Sequence, residues 1–271
     1  MNPTWQLGAT GCLLAAVSVF AAGLVRLKWH RHFCLCDLTV ELSSGPAEAD
    51  ADDWPRFRGP NGSGVAQTTG LPAEVGPAKN VVWKTPLPLG HSSPVISGDR
   101  GFLTGVEGEK LFTFCLDRET GKILWRREAP RHRREPLDKR NTPASPSAAA
   151  DGRSVYVFFP DFGLLSYDFE GRQRWRTPLG PFNNFYGMGA SPVLADDKVV
   201  LIVDQNRDSF AIALGQDDGR VRWKTARPEA LSGHATPTIY QPEAGQAQIL
   251  APGSFRMDAY SADTGEILSW V

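Results

Sequence analysis

The chain has 271 residues, with 29 Lys and Arg against 30 Asp and Glu and a formal net charge of −1. That balance excludes a general electrostatic attraction to nucleic acid or to anionic lipid. With 27 Gly and 21 Pro, the composition suits many turns and few long helices, and one all-β domain of this size is ordinary.

Trp5 to Val25 carry no charge, and Leu13 to Val25 is the densest apolar part. That length suits a membrane-spanning helix and is somewhat long for a signal-peptide core. No Lys or Arg precedes the run, whereas Arg26, Lys28 and Arg31 follow it. A simple positive-inside reading would leave the remainder in the cytoplasm. Against that, residues 1–30 read as a signal or anchor segment. The expectation is a periplasmic or other extracytoplasmic location, with the membrane contacted only through this segment. Residues 31–53 read as a linker, since Ser43 to Asp53 is small, acidic and contains Pro and Gly. Order is expected from residue 54, where Trp54-Pro-Arg-Phe-Arg-Gly-Pro-Asn-Gly62 is rich in turns and carries two aromatics able to tuck under the first sheet.

From there one pattern recurs four times. It opens on a small-(Ser/Thr)-Pro step: Ser92-Ser93-Pro94, Ala144-Ser145-Pro146, Ala190-Ser191-Pro192 and Ala235-Thr236-Pro237. Strand-like runs follow, then a turn and a Trp: Gly121-Lys-Ile-Leu-Trp125, Gly171-Arg-Gln-Arg-Trp175, Gly219-Arg-Val-Arg-Trp223 and, one residue longer, Gly265-Glu-Ile-Leu-Ser-Trp270. A period in the forties to fifty with short strands inside each unit is the signature of a blade array. Residues 54–271 therefore read as an all-β propeller of four-stranded blades, about four of them present. Turns such as Asp117-Arg-Glu-Thr-Gly121 suit tight reversals, with Asp bonding amides ahead of it and Gly at positive φ. The recurring Trp125, Trp175, Trp223 and Trp270 are expected to pack across the seam onto the next blade. Asn80 to Thr85, containing Trp83, looks like the outer strand of a blade that lacks its inner three. The surplus strand and the end of the chain at Val271 suggest part of a seven- or eight-bladed ring, completed by a missing half or by self-association.

The residues before each step should ring the mouth of the central funnel. His91, Arg140, Asn141, Tyr186 and His234 are the candidate binding residues there, with His91 and His234 in equivalent positions. The bland reading is that each bonds a neighbouring loop. Asp204 and Arg256 fall near strand ends and read as blade-connecting polar groups. The basic run Arg131-His-Arg-Arg134 reads as a solvated loop, and Cys115 as a buried, unpaired thiol. Cys34-Leu-Cys36 has no second pair or His cluster to complete a closed metal site. No catalytic, cofactor-binding or metal-binding residue is assigned.

The repeat is neither of the WD type nor kelch-like, because no Asp follows the Trp and no Gly pairs recur. The form Asp-x-x-Thr-Gly-x-x-x-Trp, intact in Asp117 to Trp125, resembles the pyrroloquinoline-quinone (PQQ) propeller repeat. The stretches Asp53-Trp-Pro-Arg-Phe-Arg-Gly-Pro-Asn-Gly-Ser-Gly64 and Phe162-Gly-Leu-Leu-Ser-Tyr-Asp168 resemble exported PQQ-like proteins of planctomycete-type bacteria. The same repeat builds BamB, a non-enzymatic assembly scaffold. The dehydrogenases of the family use an adjacent Cys-Cys disulfide, a Ca²⁺ held by Glu, Asn and Asp, and a catalytic Asp; no segment here matches those motifs. The resemblance thus implies a non-catalytic exported scaffold for protein or extended peptide. The alternative is a quinoprotein dehydrogenase-like oxidoreductase with PQQ and Ca²⁺.

Overall fold

A computed structural model describes residues 53–271. The readings made for residues 1–52 lie outside the described residues. Among the described residues no helix is long and apolar enough to cross a membrane.

Among the described residues, sixteen strands form four antiparallel four-stranded sheets, each a meander. Blade 1 comprises β1 (Val95–Ser97), β2 (Arg100–Glu107), β3 (Lys110–Asp117) and β4 (Ile123–Ala129). Blade 2 comprises β5 (Ala149–Ala150), β6 (Ser154–Phe159), β7 (Gly163–Asp168) and β8 (Gln173–Pro178). Blade 3 comprises β9 (Val193–Ala195), β10 (Lys198–Val203), β11 (Phe210–Gly215) and β12 (Val221–Ala226). Blade 4 comprises β13 (Thr238–Tyr240), β14 (Gln248–Pro252), β15 (Met257–Ser261) and β16 (Ile267–Trp270). In every blade the pairing of the third strand with the fourth slips by one residue just before the turn, at Cys115/Leu116, Ser166/Tyr167, Ala213/Leu214 and Ala259/Tyr260. This repeated bulge marks the blades as copies of one unit.

The middle strands of blades 1 to 3 are apolar on both faces because each of these blades is covered on both sides, whereas blade 4 leaves one face open, with Tyr240 and Met257 exposed. One face of blade 1 (Val95, Phe102, Cys115, Trp125) packs on Val155, Val157, Phe159 and Leu165 of blade 2. Tyr156, Phe158 and Leu164 then meet Val199, Leu201 and Ile212 of blade 3. Val200, Ile202 and Ala211 meet Ile249 and Tyr260 of blade 4. The remaining face of blade 1, Phe112, Phe114 and Leu116 with Leu103 beside them, is covered in part by Leu87.

Two devices stitch the seams. Each Trp side chain lies over the turn glycine of the following blade and donates its indole N–H to a carbonyl beside that turn. The bonds run from Trp125 to Phe169 at 2.8 Å, Trp175 to Gln216 at 2.7 Å and Trp223 to Ala262 at 3.1 Å. Glycine is required at these turns on two counts: Gly171 has φ +79°, and a Cβ there would stand 2.8 Å from the Trp125 ring. Beside each Trp, a side chain two residues on bonds the glycine carbonyl, from Arg127 to Gly171, Thr177 to Gly219 and Thr225 to Gly265. Nearer the inner strands, backbone amides donate to hydroxyls of the next blade: Ser93 to Ser147 (2.8 Å), Ser147 to Ser191 (3.0 Å) and Ser191 to Thr236 (3.0 Å).

That chain of hydroxyls corrects the sequence reading of blade 2. The residue equivalent to Ser93 is Ser147, after Pro146, not Ser145 before it. The strand registers agree, since Ala149 pairs with Tyr156 as Val95 pairs with Phe102. Three further corrections follow. Residues 80–85 form no strand, because no inner strand lies alongside to pair with. Trp83 nevertheless docks as the other Trp side chains do, lying on Gly121 and donating to the Arg118 carbonyl at 2.9 Å, while Thr85 bonds the Gly121 carbonyl. Trp270, by contrast, is 67% exposed. The basic run at 131–134 is solvated only at His132 and Arg134: Arg131 pairs with buried Asp161 at 2.8 Å and Arg133 with buried Glu135. These carboxylates would otherwise be buried alone, at a cost the arginines offset.

Candidate functional site

The loops that enter each inner strand carry every candidate residue at one end of the blades. Their bases are held by buried polar groups. Glu135 accepts a bond from the Phe182 amide (2.9 Å), and its own amide donates to Asp161 (2.9 Å). Asn184, 2% exposed, is the main tie. Its side-chain amide donates to the Asp204 carbonyl (3.1 Å), and its oxygen accepts from the Tyr186 amide and the Ser232 hydroxyl (both 3.1 Å). One side chain thus joins the blade 2–3 loop to blade 3 and to the blade 3–4 loop.

On this frame the structure brings three of the five candidates together. The Tyr186 and His234 rings meet edge-on, centroids 6.3 Å apart, and Asn141 donates to the Tyr186 carbonyl at 2.8 Å. Asn141 also accepts from the Thr142 amide and the Ser145 hydroxyl, so its side chain is spent on holding loops. Arg140 is exposed and paired with Asp138 at 2.7 Å, which raises its pKa by hydrogen bonding and attraction and lowers that of Asp138. His91 contributes a backbone bond to Ala144 (3.0 Å), and no contact joins its side chain to the Tyr186 cluster. By register its counterparts are Ser145 and Gly189, so the ring of equivalent positions holds two His, not four. The residue that sequence reasoning missed is Phe185, 66% exposed and edge-on to Tyr186 at 5.1 Å. Its signal was the pair of aromatics after two Asn residues in Asn183-Asn-Phe-Tyr186.

The blade-connecting groups behave differently. Arg227 is fully buried, paired with Asp204 (2.7 Å) and Asp258 (3.1 Å), and bonds the Tyr260 hydroxyl (2.6 Å). Burial still pushes the Asp204 carboxyl above the usual range. Arg256 pairs with Asp258 at 2.7 Å.

The opposite end of the inner strands is crossed by residues 53–64. Asp53 accepts from the Gly98 amide (2.8 Å) and the Ser97 hydroxyl. Trp54 pairs through its backbone with Ile96 of blade 1, and the Pro55 carbonyl accepts from Ala150 of blade 2. Asn61 exchanges both side-chain groups with the Ile239 backbone of blade 4, at 2.6 and 2.9 Å. The segment therefore ties three inner strands. Pro55, Arg56, Asn61, Ala150, Leu194 and Ile239 line a cavity of about 240 Å³ beside it.

Four Trp-stitched blades define the class: a β-propeller built of quinoprotein-type repeats. The chain belongs to the PQQ-like repeat family, because residues 115–269, more than half of its length, match the family model described as outer membrane protein assembly factor BamB. No curated protein matches it. Among solved structures, it is similar to the quinohemoprotein alcohol dehydrogenase ADHIIG of Pseudomonas putida HK5, with TM-score 0.54 and 18% identity over 71% of this chain and 36% of that one. The quinohemoprotein alcohol dehydrogenase of Comamonas testosteroni gives 0.50 and 14% over 68% and 35%. BamB of Moraxella catarrhalis gives 0.38 and 13% over 70% and 66%. The chain spans about a third of the length of the two dehydrogenases, and at these identities the likeness shows the fold alone.

The calcium ion that holds such a quinone takes six to eight oxygen ligands, carboxylates among them. Carboxylates on the loops at this end are already engaged: Asp138 by Arg140, Glu135 by Arg133 and the Phe182 amide, Asp204 by Arg227. Among the described residues no group of three or more His, Cys, Asp or Glu side chains stands together. The donor set at the loop end does not fit that group.

Proposed function

We propose that the protein is a non-catalytic, extracytoplasmic scaffold whose loop end holds an extended peptide or a protein segment. The observation that carries this reading is the exposed Phe185–Tyr186–His234 cluster seated on loops fixed by Asn184 and Glu135. Exposed aromatics on a rigid base bury a large apolar area at low entropic cost, and such residues dominate recognition surfaces. Membership of a family whose model is described as an assembly factor supports a binding role, and the apolar residues 5–25 support export.

The test is selection of extended peptides against the full chain, then titration of the selected peptide. Micromolar binding is expected, weakened at least tenfold by Phe185→Ser or Tyr186→Ser and unchanged by Arg220→Ser, which lies in a turn between β11 and β12. Failure to select any peptide, or binding indifferent to both loop-end variants, would reject the reading. Calcium-dependent binding of pyrroloquinoline quinone would favour the dehydrogenase-like alternative.

A further inference from the structure

Arg56 has no counter-ion among the described residues. Among the described residues two arginines are buried, Arg227 and Arg56. Arg227 pairs with two carboxylates and a phenol. Arg56, 7% exposed, forms no ion pair among the described residues. One guanidinium nitrogen donates to the Pro237 carbonyl, and its Nε has no acceptor. The nearest acidic residue in sequence, Asp53, is spent on Ser97 and Gly98. Burial lowers the Arg56 pKa to about 10, which still leaves the group cationic at neutral pH. A buried cation without a partner is costly unless a counter-charge reaches it, and Arg56 lines the cavity next to residues 53–64.

The remaining walls indicate which anion. Pro55, Ala150, Leu194 and Ile239 are apolar, and the Asn61 side chain is consumed by Ile239. One guanidinium neutralises one negative charge, and apolar walls disfavour a dianion that needs many donors. The guanidinium fork matches a carboxylate in two-point bonding. We propose that Arg56 and this cavity bind a monocarboxylate with a short apolar body, supplied either as a free acid or as the C-terminal carboxylate of a peptide. The site is separate from the Tyr186–His234 surface and does not depend on its function.

Titration calorimetry of the full chain with isobutyrate at neutral pH and low salt tests this, with phosphate and chloride as parallel probes. Saturable isobutyrate binding is expected, weakened at least tenfold in Arg56→Met. Leu194→Trp, which fills the cavity without altering the guanidinium, should also abolish it, and this keeps the test open if Arg56→Met fails to fold. A peptide ending in free-acid valine, compared with its C-terminal amide, separates the sources. Tighter binding of the acid peptide than of isobutyrate identifies a peptide terminus, and weaker binding identifies a free acid. Absence of saturable isobutyrate binding, binding unchanged in both variants, or equally strong binding of phosphate or chloride overturns the proposal.

Discussion

The Trp125 indole rests on Gly171 of the next blade so closely that a Cβ there would lie 2.8 Å from the ring. The same pair recurs as Trp83 on Gly121, Trp175 on Gly219 and Trp223 on Gly265. Each contact buries an aromatic face, uses the indole N–H and demands positive φ, so the two residues of a pair cannot vary independently.

Gly171→Ala should therefore cost far more than an ordinary turn substitution. A left-handed alanine costs about 1–2 kcal/mol, and forcing a methyl into filled space costs about 1–3 kcal/mol more. Gly108, at φ +56° with nothing within 4 Å of its position, separates the two effects, because Gly108→Ala meets only the first. Guanidinium unfolding of both variants checks this, and equal losses would show that the Trp125 contact yields freely.

Trp223 and Trp270 differ in cover, at 8% and 67% exposed, because Ser269 and not Trp270 takes the place of Trp223 in the next blade: Ala259 pairs with Ser269 as Ala213 pairs with Trp223. Trp223→Ala should cost about 3–5 kcal/mol through the cavity and the lost bond to the Ala262 carbonyl. Trp270→Ala forfeits a stacking contact with Arg256 at 5.5 Å and should cost below about 1 kcal/mol. Comparable losses from thermal melts would mean that Trp270 has a partner in solution.

The blades were legible because a Trp–Gly pair recurs at similar spacing across every seam. The Ser–Pro step of blade 2 was not, since serines flank Pro146 on both sides and only the hairpin register selects Ser147 as the acceptor. Loop-end positions could be read from the repeat, yet the approach of Tyr186 to His234 depends on three bonds made by Asn184 across loops distant in sequence. Arg56 gave no signal at all. A buried, unpaired arginine and a solvated one look alike until the chain is folded, and the solvated reading of Arg131 and Arg133 erred for the same reason.

Alkaline pH should destabilise the fold steeply. Burial pushes the Cys115 thiol and the Tyr167 phenol up to about 12. Burial also raises Tyr156, with the Asp151 charge adding to it, and Tyr260. In the unfolded chain a thiol ionises near 8.5 and a phenol near 10. Between those values and the folded ones the native state holds more protons, so stability falls as pH rises. Each group contributes a slope approaching about 1.4 kcal/mol per pH unit, beginning with Cys115 above pH 8.5 and joined by the tyrosines above pH 10. Melts at pH 8, 9.5 and 11 should show an accelerating loss, and Cys115→Ala should remove its earliest part. A stability that is flat to pH 11 would contradict the burial of these groups.

Asn184 is the point at which the loop-end surface can be loosened without touching its exposed side chains. Asn184→Ala removes three hydrogen bonds and leaves the Asp204 carbonyl, the Tyr186 amide and the Ser232 hydroxyl to find water. The expected cost is about 1–3 kcal/mol, concentrated in the loops because the blade seams are built from other residues. Asn206→Ala is the comparison: Asn206 is exposed and bonds only Asn183, through its side chain and backbone. Native-state hydrogen exchange should show the Tyr186 amide released in the first variant and protected in the second. Peptide binding at the loop end should weaken with it, because ordering Tyr186 then has to be supplied by the ligand. If the Tyr186 amide exchanges at the same rate in both variants, the loop is held by the Glu135 and Phe182 contacts instead.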